Sequence, residues 1–253
     1  MILPAQQWAL PPQDLALPAN TVHLWIARLD VFEDAHRRFL GWLSPDECQR
    51  AEKFAFDAHR VHFVNGRGLL RQILGQYLNF PPGQLRFRYT PFGKPELESP
   101  DLQNYIFFNL SHSNGVVLFA FAKNMEIGVD IEFIRPHTDI EQSGAIVFSP
   151  PEMAAIRALP PEWRRTAFFQ FWTRKEAFIK AVGHGFSLPL QQFNVSAAPE
   201  KAVENLGSAT EQRHFTRWHI QDIQLPKDYL AAIACPEARW TTAFFTLPDL
   251  YPF

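Results

Sequence analysis

The chain has only two cysteines in 253 residues, Cys48 and Cys235, and no CxxC pair. A thiolate metal site needs more such ligands, so none can be built from them. A single disulfide is the most this distant pair allows, and two isolated thiols fit a reducing compartment better. A charge excess is also missing: 24 basic residues face 26 acidic ones. No global field therefore attracts nucleic acid or an anionic membrane, and any anionic ligand must be held by local groups. No apolar run exceeds strand length (116–122), far short of the ~18 residues of a membrane span. The first twenty residues carry four prolines and no basic n-region, unlike a signal peptide. A soluble, cytoplasmic protein is expected.

What is present is apolar material, 47% of the residues, enough for one large domain or two compact ones. Residues 1–21 read as an extended, Pro-rich lead-in, followed by a strand at 22–29. Ser44-Pro45-Asp46-Glu47 has the order of a capped helix start, with Glu three residues after the Ser. A long helix is expected over 58–78, stopped by Pro81-Pro82-Gly83, then strands at 85–89, 105–108, 115–122 and 126–132. Ser149-Pro150-Pro151-Glu152 repeats the capping order. A second long helix follows over 161–182, closed by Gly183, then strands at 193–195, 217–221, 230–234 and 240–245. The two helix starts lie 105 residues apart, and Arg67 and Arg174 lie 107 apart. Such offsets suggest an internal duplication, although capping boxes are frequent enough for two to coincide by chance.

Four segments carry chemistry. In Gly128-Val129-Asp130-Ile131-Glu132, strand alternation puts Asp130 and Glu132 on one face. Two such carboxylates repel unless solvated or bridged by a cation, and oxygen-only ligands favour a hard ion such as Mg²⁺. A wet acidic strand face is the commoner meaning of D-x-E alone. On the second long helix, Trp172, Glu176 and Lys180 share a face beside a mostly apolar stripe of Phe168, Phe171, Lys175, Phe178 and Val182. There Glu176 is either a carboxylate at the margin of a buried surface or half of a surface Glu–Lys pair. Thr90-Pro91-Phe92-Gly93-Lys94-Pro95 is a rigid turn presenting a lysine. Phe108-Asn109-Leu110-Ser111-His112-Ser113 clusters amide, hydroxyl and imidazole groups at a strand end. Either segment reads equally as turn chemistry.

In this order, Phe-Gly-Lys-Pro with Asn-Leu-Ser-His-Ser, then Gly-Val-Asp-Ile-Glu, then Trp-Thr-Arg-Lys-Glu-Ala-Phe-Ile-Lys resembles the signature motifs of the 4′-phosphopantetheinyl transferases. The stretch 183–190 continues the match, and the similarity runs over about 43–234. The length resembles the larger, surfactin-synthetase-activating type. The resemblance implies an α+β fold of two similar lobes, 22–124 and 125–253, related by a pseudo-twofold axis. It implies that coenzyme A donates its phosphopantetheine arm to a serine of an apo acyl or peptidyl carrier protein. Asp130, Glu132 and Glu176 would hold Mg²⁺, with Mn²⁺ as the alternative. Lys94, Ser111, His112 and Lys180 would contact phosphates, with Gly93 and Asn109 in the same motifs and Arg50 at the 3′-phosphate; Arg88 and Lys53 are its nearby substitutes. Glu176, or a metal-bound water, is the implied general base, with Lys180 and His112 assisting. Carrier docking is implied near 137–159, where Phe148, Met153 and Ile156 serve as apolar anchors or, for at least two of them, as core. If each lobe supplies half of one site, the protein is a monomer. A metal-dependent phosphohydrolase leaves the Gly-Lys-Pro and Ser-His-Ser segments unexplained. A non-catalytic coenzyme A or carrier binder would be favoured only if a metal ligand were missing.

Overall fold

The computed structural model describes residues 7–30, 33–98, 105–183, 189–195, 204–205, 218–226, 228–236 and 240–247. Residues 184–188, part of the segment continuing the third motif, and Arg217 of an expected strand lie outside these.

The chain order is β1 (Thr21–Arg28), α1 (Glu33–Leu40), α2 (Pro45–Glu52), α3 (Asp57–Leu78), β2 (Phe87–Tyr89), β3 (Pro95–Leu97), β4 (Ile106–Ser113) and β5 (Val116–Lys123). Then come β6 (Gly128–Phe133), α4 (Ile140–Val147), α5 (Pro150–Arg157), α6 (Pro161–Val182), β7 (Phe193–Asn194), β8 (Glu204–Asn205), β9 (His219–Ile223), β10 (Tyr229–Cys235) and β11 (Thr241–Thr246). The fold is mixed α and β.

Two sheets carry the molecule, ordered β11-β1-β5-β4 and β6-β10-β9. Strand alternation sorts their side chains into three apolar clusters. Trp25, Ala27, Val117, Phe119 and Phe121 pack with Leu69, Leu70 and Ile73 of α3. Val22, Leu24, Leu118 and Ala120 of the first sheet meet Val129, Ile131, Ala231 and Ile233 of the second. Ala232 and Ala234 pack with Phe178, Ile179 and Phe168 of α6. The layers are thus helix, sheet, sheet, helix.

Each long helix is tied to the short helix before it in the same way. The Glu47 carboxylate accepts from the Ser44 amide and from the Arg71 guanidinium, while Arg71 also donates to the carbonyls of Pro82 and Leu85. The Glu152 carboxylate accepts from the Ser149 amide and pairs with Lys175, which donates to the carbonyls of Leu190 and Phe193. The helices α3 and α6 start 104 residues apart, at Asp57 and Pro161. Arg71 therefore corresponds to Lys175, and the expected match of Arg67 with Arg174 is out of step: Arg174 pairs instead with Asp222.

Three local features differ from expectation. Helices α1 and α4 and strands β3 and β8 were not foreseen. β4 does not stop at residue 108 but pairs with β5 as far as Ser113↔Val116. Its polar residues suggested a strand end, yet Asn109, Ser111 and Ser113 are buried because they bond to β6. Finally β11, in the segment assigned to the second lobe, returns to lie parallel to β1 in the first sheet.

Candidate active site

The site lies where the edge strand β4 meets the edge strand β6 under α6. No ladder joins the two strands; side chains do it. Asn109 Oδ1 accepts from the Val129 amide at 2.9 Å, and Ser113 Oγ accepts from the Phe133 amide at 3.1 Å. These bonds hold β6 so that Asp130 and Glu132 point to the α6 side, while Val129 and Ile131 fill the space between the sheets.

Ser111 Oγ donates to Asp130 Oδ1 at 2.7 Å, and Ser113 Oγ donates to Glu132 Oε2 at 2.8 Å. Lys180 Nζ donates to Asp130 Oδ1 at 2.6 Å and to Ser111 Oγ at 2.9 Å. It therefore serves the strand, not a surface pair with Glu176. Glu176 is 8% exposed, and together with Asp130, Glu132, Ser111, His112 and Lys180 it lines a cavity of about 270 Å³. Leu110 and Trp172 complete its wall.

The electrostatics are those of a site short of positive charge. Burial pushes the Glu176 carboxyl up to about 7, against the pull of Lys180 and with the help of Asp130 and Glu132. Burial and then the Asp130 charge raise Glu132 as well. His112 is exposed by surface area, yet it stands in a concave site. Desolvation there, followed by the charges of Lys180, His62 and His59, holds it below the ordinary imidazole value. Asp130 Oδ2 and Glu176 Oε1 are buried without any hydrogen-bond partner. A buried carboxylate oxygen with no donor is costly unless a cation or ligand group completes it.

Among the described residues, no three His, Cys, Asp or Glu side chains stand close enough to cage a metal as they are. Lys180 holds Asp130 where a cation would compete for it. The donors nevertheless fit a hard divalent ion: three carboxylates, all oxygen, two with an uncompleted buried atom.

The other expected site residues fall elsewhere. Gly93 has a left-handed φ of 82° in the turn joining β2 to β3, where the Gly93 amide donates to Thr90 O. Lys94 is turned inward toward the end of α6, beside a second cavity of about 260 Å³. Arg50 is exposed on α2 with its guanidinium over the Phe63 ring, Lys53 is exposed, and Arg88 pairs with Glu96. Phe148, Met153 and Ile156 are all buried against α6, so none is a surface anchor; Ile146 and Leu159 are the exposed apolar residues of that stretch. The sequence reading missed Ser113 as the partner of Glu132, although its alternation with Ser111 marks it. It also missed His59 and His62, which come close to His112 only through the packing of α3.

Two family models cover most of the chain. Residues 126–234 match the 4′-phosphopantetheinyl transferase superfamily, and residues 30–124 match the 4′-phosphopantetheinyl transferase N-terminal family. The 4′-phosphopantetheinyl transferase HetI of Nostoc sp. is 36% identical over 238 residues, covering 94% of this chain and 97% of that protein. The chain belongs to the 4′-phosphopantetheinyl transferase superfamily. This transferase is also 31% identical over 214 residues to the putative 4′-phosphopantetheinyl transferase slr0495 of Synechocystis sp., with 83% and 87% of the two chains covered. With the 4′-phosphopantetheinyl transferase Sfp of Bacillus subtilis it shares 33% over 165 residues, 64% of this chain and 70% of the other. Among its described residues, no helix is long and apolar enough to cross a membrane.

Proposed function

We propose that the enzyme moves the 4′-phosphopantetheine arm of coenzyme A onto a serine of an apo acyl or peptidyl carrier protein. The carrier serine oxygen attacks the phosphorus next to the pantetheine. The bond from that phosphorus to the bridging oxygen breaks, adenosine 3′,5′-bisphosphate leaves with the electron pair, and the serine proton passes to a base. The observation that carries this reading is the pair of orphaned buried oxygens, Asp130 Oδ2 and Glu176 Oε1, in one cavity with Lys180 and His112.

Asp130, Glu132 and Glu176 would hold Mg²⁺, or Mn²⁺ in its place. Bound there, the ion supplies charge neutralisation on the transferring phosphoryl oxygens. Glu176, a carboxylate lining the cavity, accepts the serine proton. Lys180, bonded here to Asp130 and Ser111, would be the cation that donates to the pyrophosphate. Ser111 and His112 donate to the same phosphates, and Arg50 reaches the 3′-phosphate. Gly93 and Asn109 act indirectly, through the turn and the strand junction they shape.

We read the fold as an internal duplication, two similar lobes over 22–124 and 125–253 related by a pseudo-twofold axis. The repeated order of strand, tied short helix, 22-residue helix and a hairpin pairing back antiparallel onto that strand supports it, as does the junction of the two family models at 124 and 126. Since both lobes line one site, the enzyme acts as a monomer, and its free thiols suit the cytoplasm. The test is incubation with coenzyme A, Mg²⁺ and an apo-carrier protein, followed by weighing the carrier. A phosphopantetheine increment supports transfer. Hydrolysed coenzyme A with an unchanged carrier, or no turnover at all, overturns it.

A further inference from the structure

Lys94 stands apart from the groups that face the cavity. Its ammonium donates to three backbone carbonyls: Lys180 O at 2.6 Å, Ile127 O at 3.1 Å and Ala181 O at 3.2 Å. An ammonium has three N–H donors, so these bonds saturate it and leave none for a phosphate. Burial draws its pKa down to about 8, so near neutral pH it remains the cation with all three donors.

The acceptors are informative. Lys180 O and Ala181 O belong to the last four carbonyls of α6, which have no partner within the helix and form its negative end. Ile127 immediately precedes β6. Strand and helix touch at this point: a Cβ on Gly128 would lie 2.0 Å from Ala177 O and 2.3 Å from Ala181 N. With no side chain between the two backbones, their separation and register need another fixture. Lys94, carried by the β2–β3 turn of the other half of the chain, bonds to both.

We infer that Lys94 is a positioning residue: by pinning the end of α6 to the start of β6, it fixes Glu176 and Lys180 relative to Asp130 and Glu132. It does not touch the coenzyme A phosphates through its side chain. The kinetic part of this inference rests on the transferase reading, whereas the structural part does not.

The test is Lys94→Met, which keeps the length and removes every donor. Hydrogen exchange on the protein without coenzyme A or metal should show the amides of 180–183 exchanging about tenfold faster, with the middle of α6 unchanged. In transfer assays, kcat should fall by about 10²-fold, as a 1 Å misplacement of reacting groups does, while KM for coenzyme A stays within about twofold. In a Lys180→Met background the same change should cost less than in wild type, because only the displacement of Glu176 remains to be felt. Unchanged exchange at 180–183, a raised KM with kcat intact, or additive losses would each overturn the inference. If the Met variant does not fold, Lys94→Gln, with two donors, should show intermediate exchange, and wild-type exchange there overturns it. If the wild-type enzyme transfers no phosphopantetheine, the transferase reading falls and the exchange measurement alone decides the pin.

Discussion

Helices α3 and α6 are both 22 residues long, and each buries one basic side chain against the carboxylate of a capping box. Another face of each helix differs. At the positions corresponding to Trp172, Glu176 and Lys180, α3 has Gly68, Gln72 and Gln76. Gly68 leaves room for Phe39 of α1, whose ring atoms would lie within 2.1–2.5 Å of any Cβ there. The sheet under α3 differs likewise. Where β6 turns Asp130 and Glu132 toward its helix, β1 turns His23 and Trp25, both bonded to the Tyr77 hydroxyl. In the first half the buried orphan atoms, Glu47 Oε1 and Arg67 Nη1, belong to an opposite-charge pair whose approach is 3.7 Å. The second half leaves carboxylate oxygens open inside a cavity. The two halves share an arrangement of elements, but only the second half's orphans are like-charged carboxylate oxygens in a shared cavity.

The sharpest way to break this comparison is to erase the difference at one position. Glu176→Gln gives α6 the residue type of Gln72, keeping shape while removing a negative ligand and a proton acceptor. Loss of a general base alone costs about 10²–10⁴ in rate, so transfer to an apo-carrier at saturating Mg²⁺ should collapse, with circular dichroism unchanged. Gln72→Glu should leave the rate within a few-fold. A Glu176→Gln enzyme within a few-fold of wild type would end the assignment of Glu176.

The similarity is tested by the two ties. Glu47→Gln and Glu152→Gln each leave a buried cation, Arg71 or Lys175, without its carboxylate. Breaking such a pair costs about 3–5 kcal/mol, and urea unfolding should show comparable losses for the two variants. A large loss in one and none in the other would show that the ties are not equivalent. Gly128→Ala addresses the strand–helix contact, for which the added carbon must displace the backbone of α6. Overpacking of this kind costs about 1–3 kcal/mol. Because the displaced backbone carries Glu176 and Lys180, kcat should fall further than the stability loss alone would suggest.

Much of this was legible in the sequence, and the reasons are local. The long helices, their capping boxes and the alternation of Asp130 with Val129 depend on near neighbours along the chain. The apolar stripe containing Phe171 and Phe178 was readable because helical period and burial agree. What escaped depends on partners distant in sequence. Lys175 looked like an odd cation in a core stripe because Glu152 and the carbonyls of Leu190 and Phe193 were not visible as its partners. The Asn109–Ser113 segment looked like a strand end because its polar side chains satisfy β6, twenty residues away. Lys94 was expected at the phosphates, and a lysine in a Gly-Lys-Pro turn does not announce that it folds inward onto backbone carbonyls.

The smallest expected effect tests whether the open carboxylate is a burden without a cation. In the folded protein the Glu176 pKa is raised to about 7 from an ordinary value of 4.5, chiefly by burial. Between those values the native state binds more protons than the unfolded one, so the linkage slope is negative and stability falls as pH rises through that window. Its contribution is fully present below about pH 4.5 and gone above about 7. Glu176→Gln cannot ionise and escapes this loss. In the presence of a chelator, the Gln variant should therefore melt several degrees above wild type at alkaline pH, and the gap should close toward acid. Gln72→Glu, on the half-exposed face of α3, should produce no such pH-dependent difference. Added Mg²⁺ should reverse the order at alkaline pH, because a cation bound by the native state stabilises only the chain that retains the carboxylate. Melting curves over this pH range, with and without Mg²⁺, decide the matter. A Gln variant that is no more stable than wild type in chelator at alkaline pH would mean that Glu176 is already satisfied without a metal.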